Sequence, residues 1–246
     1  MRLIDSRPVR LIGRGALALV ILLMANACAH QPVVSSVVGP RNFSIVVIDP
    51  GHGGKDNGGT SGGRGQFFVR EKDLTLDTAL RVRDLLKRAG LRTVMVRKDD
   101  RFVELDDRVA FANRQGPGAV LVSIHYNAIG SSAPNGVQTF FWHANSHGLA
   151  TRIQRHVVAE TGETNLGVTR RRLRLTRNPE IPCVLCECAY LTNPAELRRV
   201  MDPNYRQRIA LGIANGIVEQ NRRGDEGIPP VPEIWAPMSK ASDRRE

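Results

Sequence analysis

Residues 44–54 read Ser-Ile-Val-Val-Ile-Asp-Pro-Gly-His-Gly-Gly. The β-branched run at 45–48 predicts a short buried strand, which Pro50 and Gly51 bring to an end. A glycine-rich loop continues to Gly65, and its glycines allow the backbone to pass close to a bound group. The loop lacks the Gly-Lys-Ser/Thr ending of a phosphate-binding loop, so the sequence does not indicate a nucleotide site.

Helical and extended patterns alternate beyond this first strand. Apolar residues recur at helical spacing from Glu71 to Ala89, and Gly90 ends that helix. The same pattern predicts further helices at 105–114, 146–161 and 205–221, and further strands at 91–96, 119–124, 136–142 and 183–188. Strands that alternate with helices indicate an α/β fold with a mainly parallel sheet covered on both faces.

The first 28 residues predict an export signal. Basic residues precede a short apolar run, and Ala25-Asn26-Ala27 provides a small-residue cleavage pattern. The apolar run is short for a membrane span of about 20 residues, and an uncleaved N-terminal anchor is the alternative. Cys28 directly follows the small residues and is a candidate for lipidation, with simple signal cleavage left open. We expect an exported, periplasmic protein, or an outer-membrane lipoprotein if Cys28 is lipidated.

Composition and charge limit the domain count and the partners. The chain has 246 residues, of which 41% are hydrophobic, enough for one α/β domain with a substantial core. We expect a linker at 29–42, a folded domain at 43–222 and a disordered tail rich in proline and charge at 223–246.

The net charge of +11 suits an anionic partner such as a cell wall or membrane surface. Aromatic residues make up only 5%, which argues against nucleic-acid binding by stacking.

Four polar residues stand where ligands gather in such folds, at the carboxyl ends of the strands. His52 follows the first strand, His125 follows the third, and Glu187 lies near the end of the fifth. Glu71 opens the first long helix, whose start we expect at the same edge of the sheet. The four residues are dispersed in sequence, but this topology predicts that they converge in space.

Two histidines and one carboxylate form a catalytic zinc set in which water takes the fourth position. Zinc lowers the pKa of that water toward 7, and a second carboxylate that is not a ligand then transfers its proton. The residue types alone leave open which glutamate is the ligand and which is the base. The same ligand set also holds Fe(II), so an iron enzyme is a further alternative, although the sequence shows no redox-partner motif.

Four motifs carry a resemblance to a known family. They are Ile-Asp-Pro-Gly-His-Gly-Gly at 48–54, Glu-Lys-Asp-Leu-Thr-Leu at 71–76, Val-Ser-Ile-His-Tyr-Asn-Ala at 122–128, and Pro-Cys-Val-Leu-Cys-Glu at 182–187, which continues to Leu-Thr-Asn-Pro at 191–194. Together and in this order they resemble the zinc-dependent N-acetylmuramoyl-L-alanine amidases. The resemblance identifies 43–222 as an amidase catalytic domain.

The resemblance implies a three-layer α/β/α sandwich around one mainly parallel, mixed sheet of about six strands. It implies that His52, Glu71 and His125 bind Zn²⁺ and that Glu187 is the catalytic carboxylate. The expected reaction is hydrolysis of the amide bond between N-acetylmuramic acid and the L-alanine of the peptidoglycan stem peptide, with Glu187 as general base and acid. The alternatives are a zinc carboxypeptidase of similar fold and a non-catalytic peptidoglycan-binding protein derived from an amidase.

Each candidate residue also has an ordinary structural explanation. His52 could bond to nearby backbone, His125 could be a buried core residue, and Glu71 could stabilise a helix N-terminus by about 0.3–1 kcal/mol. Glu187 is harder to explain in this way, because an unpaired buried carboxylate in an apolar strand costs several kcal/mol. We therefore expect a polar site to face it.

Three cysteines lie in and beside the last predicted strand. The alternation of a strand puts Cys186 and Cys188 on one face, and Cys183 on the other face with Glu187. The three thiols therefore cannot converge on one metal ion. We expect buried free thiols that act as small hydrophobic groups, with a disulfide left open.

A basic run precedes the last strand and consists of Arg170, Arg171, Arg172, Arg174 and Arg177. We expect one or two of these arginines to bind carboxylates of the stem peptide, with a solvated edge strand as the alternative.

Some amidases of the family carry an inhibitory helix between the positions of His125 and Glu187. This interval is too short to add one, so we expect an enzyme that needs no activator protein. The oligomeric state is left open.

Overall fold

The computed structural model describes residues 42–61 and 68–231. The predicted signal at 1–28 with Cys28, the predicted linker as far as residue 41, and residues 232–246 of the predicted tail lie outside these ranges. Within the part of the chain that is described, no helix has both the length and the hydropathy needed to cross a membrane.

Six strands form one sheet. They are β1 Ile45–Pro50, β2 Arg92–Met95, β3 Ala119–Asn127, β4 Val137–Phe141, β5 Asn165–Arg170 and β6 Cys183–Tyr190. The order across the sheet is β2-β1-β3-β6-β4-β5. The first four strands in this order run parallel, β4 runs antiparallel to β6, and β5 runs parallel to β4. The predicted mainly parallel, mixed sheet is confirmed.

Helices cover both faces of this sheet. They are α1 Glu71–Arg88, α2 Leu105–Asn113, α3 His147–Thr161, α4 Arg174–Arg177, α5 Pro194–Met201 and α6 Pro203–Arg223. Val46 and Ile48 of β1 contribute to the core beneath α1, α3 and α6. Val47 points to the opposite face, where it shares a smaller core with Ala112 of α2 and Leu121 of β3. The expected three-layer α/β/α architecture is therefore confirmed.

Within the described residues, the structure adds four elements that the sequence pattern did not predict, namely β5, α4, α5 and a short 3₁₀ helix at Ala144–Ser146. β5 lies at the edge of the sheet and its first residues are exposed, so no apolar alternation marks it. α5 begins after Asn193, whose side chain accepts hydrogen bonds from the next turn, and Pro194 follows as its first residue. β3 continues beyond the predicted end at 124, so His125 lies within the strand and not after it.

Ordered structure continues past the predicted domain end at 222. The side chain of Arg152, on α3, is buried and donates to the backbone carbonyls of Gly224 and Glu226 at 2.9 and 2.7 Å. Its other terminal nitrogen, Nη1, forms an ion pair with Glu219 of α6. These contacts hold the turn after α6 against α3, so the tail predicted from residue 223 begins with a structured segment.

The three cysteines of β6 are all buried. Cys183 packs with Val47 and Leu121 on one face of the sheet, whereas Cys186 and Cys188 lie in the main core on the other. The expected division between the faces is confirmed. Burial raises the pKa of Cys186 to about 12, so its thiol is not reactive at neutral pH.

Helices α3 and α6 pack at backbone distance through two glycines. A Cβ at Gly212 would lie 2.6 Å from Cα of Val157, and a Cβ at Gly216 would lie 2.5 Å from Cα of Ile153. The spacing of four residues puts both glycines on the same side of α6. Both contacts are with main chain, which cannot move aside as a flexible side chain can.

Gly216→Ala should therefore destabilise the fold. The overlap costs about 1–3 kcal/mol and lies at the upper end here, because the methyl group meets backbone. Alanine regains about 1 kcal/mol of helix propensity, so we expect a net loss of about 1–2 kcal/mol in urea unfolding. Asn215→Ala on the same helix, which removes only a 3.4 Å bond to Glu160, should change stability by less than about 0.5 kcal/mol. Equal stability of Gly216→Ala and wild type would contradict this packing.

Candidate metal centre and active-site cleft

Glu71 connects the two histidines. It is the first residue of α1, and its Oε1 lies 3.0 Å from Nδ1 of His125. Its Oε2 lies 3.1 Å from Nε2 of His52. The backbone N–H groups of Tyr126 and Gly59 donate to the same two oxygens at 2.9 and 2.7 Å. The carboxylate is thus buried and fixed between the two imidazole rings.

His52 is held in an unusual backbone conformation. Its φ of 61° lies in the left-handed region, and it is the one non-glycine residue with positive φ in the described chain. This conformation is costly for a residue that carries a side chain. Nδ1 of its ring lies 2.8 Å from Oδ2 of Asp56, which directs Nε2 toward Glu71. A carboxylate on the second ring nitrogen is the usual way of orienting a metal-binding histidine.

Two buried arginines bind the backbone of this loop. Arg108 donates to the carbonyl oxygens of Pro50 and His52 at 2.8 and 2.6 Å. Arg97 donates to the carbonyl oxygens of Pro50 and Gly51 at 3.0 and 2.7 Å. Because consecutive buried carbonyls are satisfied in this way, the contacts stabilise the left-handed conformation of His52.

Glycines let the loop approach the cluster closely. A Cβ at Gly51 would lie 2.3 Å from Cε1 of His125. A Cβ at Gly58 would lie 2.6 Å from Oε2 of Glu71, and Gly58 also has a φ of 66°. Any other residue at these two positions would push the loop away from the histidines. This agrees with the role expected for the glycines of this loop.

The charges in the cluster are strongly coupled. Burial lowers the pKa of His52, but hydrogen bonds and charge from Glu71 and Asp56 outweigh it and raise that pKa to about 9. For His125, burial outweighs the hydrogen bond and charge of Glu71, so the pKa of this residue is lowered. Burial acts to raise the pKa of Glu71, but hydrogen bonds to His125 and His52 hold it well below its usual range. The two carboxylates thus favour positive charge at this point, which a divalent cation also supplies.

The donor atoms fit a metal ion. One ligand atom from each of His52, Glu71 and His125 lies within 4.8 Å of the others. Nε2 of His125 is buried, and nothing in the described residues forms a hydrogen bond with it. This buried ring nitrogen can instead bind a metal ion. Two imidazoles and one carboxylate suit a divalent cation that keeps an open position for another ligand.

Glu187 stands beside this cluster on the neighbouring strand. In β6 it is in register with His125 of β3, and strands lie about 4.8 Å apart. On its other side it is in register with Gln138 of β4. The half-buried side chain lines a cleft of about 720 Å³ together with Glu71, His125 and Tyr190. The structure therefore brings all four sequence-predicted residues to one cleft, with Glu187 outside the three-residue cluster.

Glu196 fixes the strand ends that border the cleft. It is fully buried and accepts hydrogen bonds from the backbone N–H groups of Tyr190 and Gly136 at 2.7 and 2.9 Å. Burial, together with the nearby Glu163, outweighs these hydrogen bonds and raises the pKa of Glu196 to about 7. The carboxyl group thus ties the end of β6 to the segment that leads into β4.

The basic run predicted before β6 is divided by the fold. Arg171 lines the cleft. Nε of Arg170 donates to the carbonyl of Trp142 at 2.7 Å, and Arg174 pairs with Asp106 at 2.6 Å. β5 ends at Arg170 and α4 begins at Arg174, so the run is not one solvated edge strand.

The sequence did not reveal the residues that position the cluster. Asp56 lies four residues after His52, and that spacing in a loop with candidate ligands is a signal that could have been used. Arg97 and Arg108 gave no such signal, because arginine is normally exposed and neither stands in a recognisable motif. Their burial follows from the carbonyl groups of the loop that they bind.

The fold and the site define an α/β protein with a candidate divalent-metal centre that opens into a cleft at the carboxyl edge of its sheet. Residues 46–219 match the sequence profile of the N-acetylmuramoyl-L-alanine amidase family. The chain belongs to this family.

Relatives and solved structures agree with this assignment. The probable cell wall amidase LytH of Staphylococcus epidermidis is 32% identical over 192 residues, which is 78% of this chain and 62% of that protein. The chain therefore spans less than two thirds of the length of that relative. The catalytic domain of CwlV, an N-acetylmuramoyl-L-alanine amidase from Bacillus (Paenibacillus) polymyxa, is 38% identical with a TM-score of 0.67, covering 72% of this chain and 97% of that one. The N-acetylmuramoyl-L-alanine amidase from Clostridium difficile 630 is 32% identical with a TM-score of 0.68. The match covers 73% of this chain and 97% of that one.

Loss of the carboxylate behind His52 should weaken metal binding. Asp56→Ala should lower the affinity for Zn²⁺, used as the probe ion, by about 10–100-fold, because Nδ1 of His52 loses the group that orients it. Asp56→Asn, which keeps an acceptor, should fall between this variant and wild type. Competition with a fluorescent chelator measures the affinity. Asp84→Ala, which removes a surface partner of Arg83, is the matched control, and equal affinities of the Asp56 and Asp84 variants would contradict the orienting role.

Proposed function

We propose that this chain is a zinc-dependent peptidoglycan hydrolase that cleaves the amide bond between N-acetylmuramic acid and L-alanine. The observation that carries the proposal is the meeting of the His52–Glu71–His125 cluster with a separate carboxylate, Glu187, in one cleft. Membership in the amidase family supports the substrate and the bond. LytH is described as a probable cell wall amidase, which supports the cell wall as the place of action.

Zinc is the metal that this donor set suits best. Two imidazole nitrogens and one carboxylate oxygen, all buried, form a ligand set typical of catalytic zinc with an open position. When bound, Zn²⁺ supplies Lewis-acid chemistry that lowers the pKa of water toward 7 and polarises the scissile carbonyl. The hydrogen bond between Asp56 and His52 orients the imidazole ring, as carboxylates usually do for metal-binding histidines.

Glu187 acts as general base and then as general acid. It accepts the proton of the attacking water and delivers it to the departing nitrogen of alanine. Two features support this role. Glu187 is in register with His125 on the adjacent strand, and it lines the same cleft without being one of the three clustered ligands.

We further propose that the protein is exported and acts from the periplasm, either after simple signal cleavage or as a lipoprotein anchored through Cys28. The basic N-terminus and the Ala25-Asn26-Ala27 pattern support export.

We also propose activity without an activator protein. The interval between His125 and Glu187 is taken up by β4, α3, β5, α4 and a short turn of 3₁₀ helix, which supports this.

Digestion of purified peptidoglycan tests the reaction. Zinc-loaded wild type should release intact stem peptides with a free N-terminal alanine, detected by mass spectrometry. Glu187→Gln should lower the rate by about 10²–10⁴-fold, because the proton transfers lose their carrier. The exposed Glu180 gives the matched control, and Glu180→Gln should retain the wild-type rate. A chelator should stop the reaction and added Zn²⁺ should restore it.

Other outcomes separate the alternatives. Release of amino acids from the C-terminus of the stem peptide would indicate a zinc carboxypeptidase. Sedimentation of the protein with the wall, without any soluble product, would indicate a wall-binding protein. Full activity of Glu187→Gln, with unchanged zinc content and melting temperature, would contradict the role of Glu187.

A further inference from the structure

Arg171 stands on the wall of the cleft next to β4. Its backbone N–H donates to the carbonyl of Phe141 at 2.8 Å, which fixes its main chain to the end of that strand. Its guanidinium group lies 5.3 Å from the centre of the Phe140 ring. Phe140 is itself packed with Leu173 and Leu185, so the ring is a rigid support. The cation is therefore held at a defined place in the cleft.

The charge of Arg171 is available to a ligand. The side chain is exposed, and no carboxylate of the described ranges lies within ion-pair distance of it. Arg174, Arg199 and Arg206, by contrast, are paired with carboxylates. Among the described residues, the acidic groups that line the same cleft are Asp56, Glu71 and Glu187. Arg171 thus offers the cleft a cation whose planar fork matches a carboxylate.

The register of β4 sets the distance between this cation and the catalytic carboxylate. Gln138 is opposite Glu187, and Phe140, which supports Arg171, lies two residues further along the strand. Two residues of a strand span roughly 7 Å. An extended peptide advances by roughly 3.3–3.6 Å per residue. A group on the second residue of a peptide whose first amide lies at Glu187 therefore arrives near Arg171.

We propose that Arg171 binds the free carboxylate on the second residue of the stem peptide, and that the peptide lies along the β4 side of the cleft. This inference rests on the proposed amidase function. It assigns a substrate preference to the site, for walls in which that carboxylate is free over walls in which it is a neutral carboxamide. The carboxamide keeps the shape of the group but loses the charge and one of the two acceptor oxygens of the fork.

Two matched substrates test the proposal. One is a soluble muramyl tripeptide whose second residue is D-glutamate joined to the third residue through its side-chain carboxyl, and the other is the same compound with D-isoglutamine. The zinc-loaded wild type should show a kcat/KM for the carboxylate substrate higher by about tenfold or more. In Arg171→Gln the ratio of the two kcat/KM values should fall to about one, because the guanidinium group is absent. Arg171→Lys keeps the charge without the fork and should give an intermediate ratio.

Arg170→Gln is the control, because it makes the same change of charge one residue away on a side chain bonded to the carbonyl of Trp142. It should keep the wild-type ratio. A wild-type ratio near one, or a wild-type ratio retained by Arg171→Gln, would overturn the proposal while leaving the amidase function in place. Cleavage of neither compound by zinc-loaded wild type would overturn both.

Discussion

The hydrogen bonds from two buried guanidinium groups to the loop after β1 are the interaction on which the site depends. Arg97 and Arg108 have buried side chains and bind successive carbonyl oxygens from Pro50 to His52. Arg108 is itself neutralised by Asp49, whose second oxygen accepts from Ser123 of β3. A buried charge is costly unless a partner charge or hydrogen bonds compensate for its lost hydration, as they do for these two arginines. The left-handed conformation of His52 persists because this surrounding structure determines it.

The sheet topology brings the remaining residues to the same place. β1, β3 and β6 are adjacent and parallel, so the loop after β1 and the last residues of β3 and β6 meet at one edge. His125 and Glu187 are in direct register there, and α1 begins with Glu71 against both histidines. The candidate ligands thus come together from three segments that are far apart in the sequence. The glycines at 51 and 58 leave the space that this convergence needs.

Much of this arrangement follows from the sequence, because periodic patterns and strand ends are local signals. The β-branched run before Pro50 marks β1, and helical spacing from Glu71 marks α1. The grouping of His52, His125 and the two glutamates follows from the rule that ligands gather at carboxyl strand ends. The edge strand β5 could not be found in this way, because it is half exposed and lacks apolar alternation. The burial of Arg97 and the position of Arg171 could not be predicted either, because both depend on contacts between segments far apart in sequence.

The central proposal is that one metal ion is held by His52, Glu71 and His125, while Glu187 stands beside it as a carboxylate that does not bind the metal. Crystals of the protein grown with Zn²⁺ and measured at the zinc absorption edge test this most directly. The account predicts one strong anomalous peak at bonding distance from His52, Glu71 and His125, with an open position facing Glu187. A peak bound by Glu187 in place of Glu71, or zinc held only by residues outside this cluster, would contradict it.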